Sequence, residues 1–341
     1  MKKHVLYCAA AALCFAACSN HETDGLDNGG QPRNAVPIRI GQSVAGVTAR
    51  GVIESGSDVT ATVLTANYSD SYAAGTVWNT FTPQTTNELT EDNPPKLKTA
   101  ANVSSATFKA GTEETMNLNP ALYYYAENKT AIVAIAPAGT VSGTNVVMKQ
   151  VDGTQDVMYA AAQVESTPSA GSNTPVALNF THKTTQLSFA FKLKEDLKGD
   201  WKDKSVSVKN ITIVKARLPE YVQMADGTVY FSTEKELSIP HIGSPVISTV
   251  STTVGHPVMV KESNNIELDI VLTVGGKEYP FYNIPVMGST EGEKLTSVIG
   301  SAHLITLTVT EPVTPDGSIA IGTQATVTAW TPGEEGSGEL K

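Results

Sequence analysis

From Val36 onward the apolar residues recur at every second position, a pattern that lets an extended strand bury one side but gives a helix no continuous apolar stripe. Leu187, Phe189, Phe191 and Leu193 alternate with Ser188, Ala190 and Lys192, and Ile266, Leu268, Ile270, Leu272 and Val274 alternate with Glu267, Asp269, Val271 and Thr273. Near the C-terminus Ile305, Leu307 and Val309 alternate with threonines, and Ile319, Ile321, Thr323, Ala325, Val327 and Ala329 then share one parity. A period of 3.6 residues is nowhere sustained, and Glu195 to Lys204 has room for one helical turn at most. Asp226-Gly227, Gly275-Gly276 and Asp316-Gly317 stand between the strand-like runs, where hairpins need residues that accept positive φ. The expectation is an antiparallel all-β architecture.

A chain of 341 residues suggests about two domains. Glu165 to Pro175 (ESTPSAGSNTP) is rich in Ser, Pro, Gly and Thr, and it divides residues 36–170 from 171–341. Each part is large enough for a β-sandwich with its own core. The alternative is a long surface loop within one larger sandwich.

The first residues read as an export signal. Lys2, Lys3 and His4 precede an apolar run, Val5 to Ala17, that is too short to span a bilayer and ends in small residues. Phe15-Ala16-Ala17 before Cys18 resembles a bacterial lipobox, with Phe where Leu is usual, so Cys18 is the expected lipidation site and residues 1–17 the removed signal. Cys8 and Cys14 lie inside that signal, which leaves the mature chain one cysteine and no disulfide. The alternative is ordinary cleavage near Ala17 with Cys18 left as a free thiol. Residues 18–35 hold little that is apolar and read as a flexible tether between lipid and fold.

With 34 Asp and Glu against 24 scattered Lys and Arg, the chain carries a formal charge of -10, so a nucleic-acid partner is not expected. The six histidines are isolated, and no metal-ligand spacing, nucleophile elbow, phosphate loop or dinucleotide fingerprint is present. Glu113-Glu114 and Glu234/Glu236 read as solvated charges rather than an acid pair for glycoside hydrolysis. No catalytic residue, metal or cofactor is expected. His182 shares parity with Phe180 and reads as a histidine at the edge of a core. Two aromatic groups, Tyr123-Tyr124-Tyr125 and Tyr279 with Phe281 and Tyr282, admit a sugar-stacking role, although aromatic residues in strands more often pack in cores.

Five segments in order resemble the fimbrillin family, the type V pilus subunits of Bacteroidales. They are the lipobox at Cys18 with its tether, Tyr123-Tyr124-Tyr125 followed by Ile132 to Pro137, Asp156-Val157-Met158-Tyr159-Ala160, the run Phe180 to Phe189 containing His182, and Ala329-Trp330-Thr331-Pro332-Gly333. Ala136 departs from the aromatic frequent at its site. The resemblance implies two transthyretin-like β-sandwich domains in tandem, no enzymatic activity, and export as an outer-membrane lipoprotein to the cell surface. It also implies removal of the first strand by a trypsin-like protease and completion of the opened groove by a strand of another subunit.

On the residues themselves, Val36, Ile38 and Ile40 alternate with Pro37 and Arg39 as a first strand would, and Arg50 before Gly51 is the expected cut, with Arg33 and Arg39 as rivals. The expected donor is Ile319 to Trp330, presenting Ile319, Ile321, Ala325 and Val327 to the groove and closing on Trp330. The alternative keeps residues 36–40 as a permanent edge strand and 319–330 as the last strand of their own domain. The expected function is a structural fimbrial subunit that supports adhesion. Its partners would be other fimbrillin subunits, outer-membrane lipid through Cys18, and surface ligands of host or bacterium. The second reading is a surface glycan-binding lipoprotein.

Overall fold

Strands patterned on alternate residues must meet sheet partners and a second apolar layer before their burial stabilises anything. A computed structural model describes residues 35–44, 56–69, 71–93, 95–110, 115–125, 129–149, 151–166, 174–194, 199–290, 292–310 and the backbone of 321–329. Its first part holds β1 (Ile40–Val44), β2 (Asp58–Tyr68), α1 (Ala74–Asn79), β3 (Glu88–Leu89), β4 (Leu97–Thr99), β5 (Val103–Lys109), β6 (Asn117–Asn119), β7 (Lys129–Ala136), β8 (Thr140–Ser142), β9 (Asn145–Val147), β10 (Met158–Val164) and β11 (Val176–His182). After these come β12 (Thr185–Leu193), a 3₁₀ turn at Gly199–Trp201, β13 (Val206–Ala216), β14 (Pro219–Gln223), β15 (Val229–Phe231), β16 (Lys235–Ser238), β17 (Thr252–Val260), β18 (Glu267–Val274), β19 (Lys277–Pro285), β20 (Ser301–Val309) and β21 (Ile321–Ala329).

Two four-stranded sheets, β17-β12-β20-β21 and β16-β13-β18-β19, enclose the C-terminal core. Leu187, Phe189, Phe191, Ile305, Leu307 and Val309 come from the first sheet, and Val208, Ile211, Leu268, Ile270 and Leu272 from the second. Each such side chain contributes roughly 1.5–3 kcal/mol on burial.

A seven-stranded sheet, β1-β11-β10-β7-β2-β5-β6, forms the N-terminal part. One face holds Ile38, Ile40, Val63, Ile132, Leu178 and Phe180 around a first core. The other face of β2 and β7 carries Leu64, Val133 and Ile135 into a second core, with Trp78 of α1 and with Val146, Met148, Val222 and Met224. β7 is therefore buried on both faces, which is why Lys129–Ala136 reads as a nearly unbroken apolar run rather than an alternation.

The all-β expectation holds, with three departures in detail. The β1–β11 and β12–β20 pairings are parallel, because strands far apart in sequence are free of the reversal that a short hairpin imposes. The division at residue 170 does not separate the cores: β11, which follows it, completes the first sheet and puts Leu178 and Phe180 into the first core. A further sheet, β15-β14-β9-β8, joins strands from both sides of that division. Finally, Ala74–Asn79 is a short helix that the polar periodicity concealed, held by Trp78, whose indole N–H donates to the Tyr72 hydroxyl at 3.0 Å.

The β14–β15 turn docks on β10 through one glycine. Gly227 has φ +71°, and a Cβ there would lie 2.4 Å from the ring of Tyr159, whose hydroxyl donates to the Met224 carbonyl at 3.0 Å. Gly227→Ala is expected to lower stability by roughly 1–3 kcal/mol, read as an earlier denaturant midpoint, since strain and overpacking act together. An unchanged midpoint would contradict this docking.

Candidate functional site

Residues 35–44 read Ala-Val-Pro-Ile-Arg-Ile-Gly-Gln-Ser-Val. Their alternation is obeyed in space: Ile38 (5% exposed), Ile40 (0%) and Gln42 (4%) point inward, while Arg39 and Ser43 are exposed. Ile38 and Ile40 join the first core with Met116, Leu122, Tyr124, Leu178 and Phe180, and Phe180 stacks on Phe108 at 5.2 Å.

The backbone of this segment is held from both sides. On one side β1 runs parallel to β11, from Ile40 opposite Val176 to Val44 opposite Phe180, and the Val176 N–H donates to the Arg39 carbonyl at 2.8 Å. On the other side the partner is the chain around β6. Ile38 N–H donates to Leu122 O at 2.8 Å, Tyr124 N–H to Val36 O at 3.0 Å and Met116 N–H to Ile40 O at 2.8 Å, with bridges Pro37–Tyr123 and Gly41–Thr115. β11 adjoins β1 at one end of the seven-stranded sheet and β6 is the strand at the other end. Residues 36–44 thus act as a stave across which the two ends of the sheet meet. Pro37, which lacks a donor, is tolerated because the hydrogen bonds on that side are made by its neighbours.

Side chains pin the far end of the stave. Gln42 Nε2 donates to the Lys109 carbonyl at 3.0 Å, and the Ser43 hydroxyl donates to Asn179 Oδ1 at 2.7 Å. Withdrawing the stave would expose an apolar trough between two rails of unpaired backbone groups. Another extended strand can satisfy both at once, whereas a small molecule or a helix cannot.

The other sites expected from sequence fall as follows. Cys18, Arg50, Gly51, Ile319 and Trp330 lie outside the described residues. Ile321, Ala325 and Val327 lie in β21, whose backbone pairs antiparallel with β20 at the edge of its sheet, setting Ile321 opposite Val309, Ala325 opposite Ile305 and Val327 opposite His303. The tyrosine triplet is not an exposed aromatic face. Tyr123 and Tyr124 are buried, which pushes their phenols up, and the half-buried Tyr125 donates from its hydroxyl to the Thr65 carbonyl at 3.3 Å. In the second group Phe281 is buried and Tyr279 packs edge-on against Trp201 at 5.2 Å; Tyr282 alone is open, at 68% exposure.

Sequence reasoning missed a buried cluster that anchors the β11 rail. His182 Nδ1 lies 2.6 Å from Asp156 Oδ2, and the Thr184 hydroxyl donates to Asp156 Oδ1 at 3.3 Å. Beside them the Lys183 N–H donates to the Val157 carbonyl at 2.7 Å. Asp156 and His182 belong to two of the segments singled out above, but a separation of 26 residues hid their contact. Also missed was the stacked pair Tyr221 and Tyr230, with ring centroids 4.5 Å apart on neighbouring strands.

Ile40→Ala is expected to destabilise the intact chain by about 2–5 kcal/mol, because it opens a cavity at a fully buried site. Equilibrium unfolding would check it, and a loss below about 1 kcal/mol would mean that the stave is not packed as described.

A search among curated protein sequences gave no match. Among solved structures, the chain is similar to a provisionally assigned cell-adhesion protein from Bacteroides uniformis, at 17% identity, covering 88% of this chain and 100% of that one, with a TM-score of 0.49. It is also similar to a fimbrial protein from Bacteroides vulgatus (13% identity, 86% and 99% covered, TM-score 0.42) and to a fimbrilin from Porphyromonas gingivalis (11%, 88% and 99%, TM-score 0.44). The fimbrillin-like sequence profile matches residues 65–330, most of the length over which the sheets are built. The chain belongs to the fimbrillin-like family.

Proposed function

We propose that this chain is a structural fimbrial subunit of the cell surface, exported as an outer-membrane lipoprotein through Cys18 and assembled by strand exchange. A cut after Arg50 separates residues 18–50 from the body, so that only non-covalent contacts retain the stave. Its departure opens the trough between β11 and residues 115–124, and a strand from the C-terminal run Ile319–Trp330 of another subunit fills it. Assembled subunits then support adhesion.

The observation that carries this reading is the seam itself. One short segment near the N-terminus supplies a backbone partner to both ends of a sheet while filling that sheet's core. Exchange replaces the pairings of the stave with those of the incoming strand and so converts an intramolecular contact into an intermolecular one. The membership in the fimbrillin-like family supports the same reading. The glycan-binding alternative drew on the faces of Tyr123 to Tyr125, two of which are in the core.

Treatment of the full chain with a trypsin-like protease is expected to yield a new N-terminus at Gly51 and a ladder of polymers that resists mild SDS and collapses on boiling. Assembled material whose N-terminus is still Cys18 would overturn the exchange.

A further inference from the structure

The two sheets of the C-terminal core part at one end and leave a cleft of about 380 Å³, within the range that holds small molecules. Its floor is apolar. Leu187 of β12 and Val260 of β17 come from one sheet, and Ile213 and Ala216 of β13, with Ile266 just before β18, come from the other. None of the residues that line the cleft belongs to the first core, so it is separate from the stave and its rails.

The walls carry charges of both signs. Arg217, Lys261 and Glu262 are half-buried there, and Glu234 stands exposed at the rim. Opposite charges that share a cleft ordinarily pair, yet none of these four forms an ion pair with a described residue. Lys215, a further cation of the wall, is engaged by Glu267 at 3.1 Å. Glu262 Oε2 is buried and meets no hydrogen-bond donor among the described residues, a costly state for a carboxylate oxygen. The Arg217 Nε–H donates to the Ser232 carbonyl at 2.9 Å, which fixes the guanidinium and leaves its terminal nitrogens for another acceptor.

These groups are held in place by the backbone. Lys261 N–H donates to the Arg217 carbonyl at 2.9 Å. Ser263 N–H donates to Ser297 Oγ at 2.9 Å, Ser297 N–H to the Ser263 carbonyl at 2.9 Å, and Asn265 N–H to Ser263 Oγ at 3.1 Å. The connection between β17 and β18 is thus tied down on both sides, and a ligand has little ordering left to impose.

We propose that this cleft binds a small aliphatic zwitterion, an apolar α-amino acid or a short peptide of such residues. Its carboxylate sits on Arg217 and Lys261, its ammonium donates to Glu262 as that carboxylate turns toward the cleft, and its aliphatic side chain rests on the floor. Other chemistries use less of the site. An inorganic anion engages the two cations but leaves Glu262 without a donor, and a simple amine does the reverse. A sugar would set hydroxyls against Leu187 and Val260, where no partner awaits them. A zwitterion lodged there touches both sheets and stabilises the folded chain by mass action.

Calorimetric titration of the full chain tests this with four probes: leucine, leucyl-leucine, 4-methylpentanoate, which lacks the ammonium, and 3-methylbutylamine, which lacks the carboxylate. At least one of the two zwitterions should bind saturably with a Kd of about 1 mM or tighter, and the two truncated probes at least roughly tenfold more weakly. Binding by leucine alone would point to free amino acids as the source, and binding by leucyl-leucine alone to peptides; either supports the proposal. Glu262→Gln, which keeps the shape of the side chain, should weaken the zwitterion about tenfold and leave 4-methylpentanoate unchanged. Arg217→Lys, which loses the forked donor, should weaken both carboxylate-bearing probes and leave 3-methylbutylamine unchanged. Should either variant not fold, the comparison of the four probes on the parent chain decides. No saturable binding of either zwitterion at roughly 10 mM, truncated probes that bind equally well, or zwitterion binding that both folded variants retain in full would overturn the assignment.

Discussion

The whole arrangement depends on one requirement: buried backbone N–H and C=O groups at the two ends of a curled sheet must find partners, and residues 36–44 supply them. Most sheets avoid the difficulty by leaving short or charged edges in water. Here the ends face each other across an apolar core, so water is a poor substitute for the stave. The same few residues therefore complete the hydrogen bonding and fill the space of Ile38 and Ile40.

That double role explains why the neighbouring elements are so firmly fixed. β11 is pinned at its C-terminal end by the buried Asp156, His182 and Thr184 cluster, where an unpaired carboxylate or imidazole would be costly. Beneath the trough, β2 and β7 are packed on both faces. The β11 rail is thus tied to the sheet at its C-terminal end, through Met158 opposite His182 and Tyr159 opposite Thr181, while Val176 to Phe180 pair with the stave itself. Among the described residues β21, in contrast, has a backbone partner on one side, β20.

Strands with one wet face were plain in the sequence, because Glu267, Asp269 and Thr273 between Leu268, Ile270 and Leu272 leave a single choice of inward parity. The stave was readable for the same reason, through Val36, Ile38 and Ile40. What alternation could not convey was the partner of each strand. Nothing local says that β1 runs parallel to a strand beginning at Val176, or that Tyr123 lies on its other side. The tyrosine triplet suggested a surface because phenols suit either water or a core, and only the tertiary setting decides. The Ser- and Pro-rich stretch at 165–175 does not mark a change of core, because β11, which follows it, puts Leu178 and Phe180 into the first core, and composition does not say where the next strand goes.

Hydrogen exchange at three amides addresses the stave directly. Met116, Tyr124 and Val176 donate to the carbonyls of Ile40, Val36 and Arg39. These amides should be protected in the intact chain, exchange freely in the cleaved subunit once the stave has left, and regain protection in the polymer. Amides that stay protected in the cleaved, unassembled subunit, or that remain open in the polymer, would contradict the account.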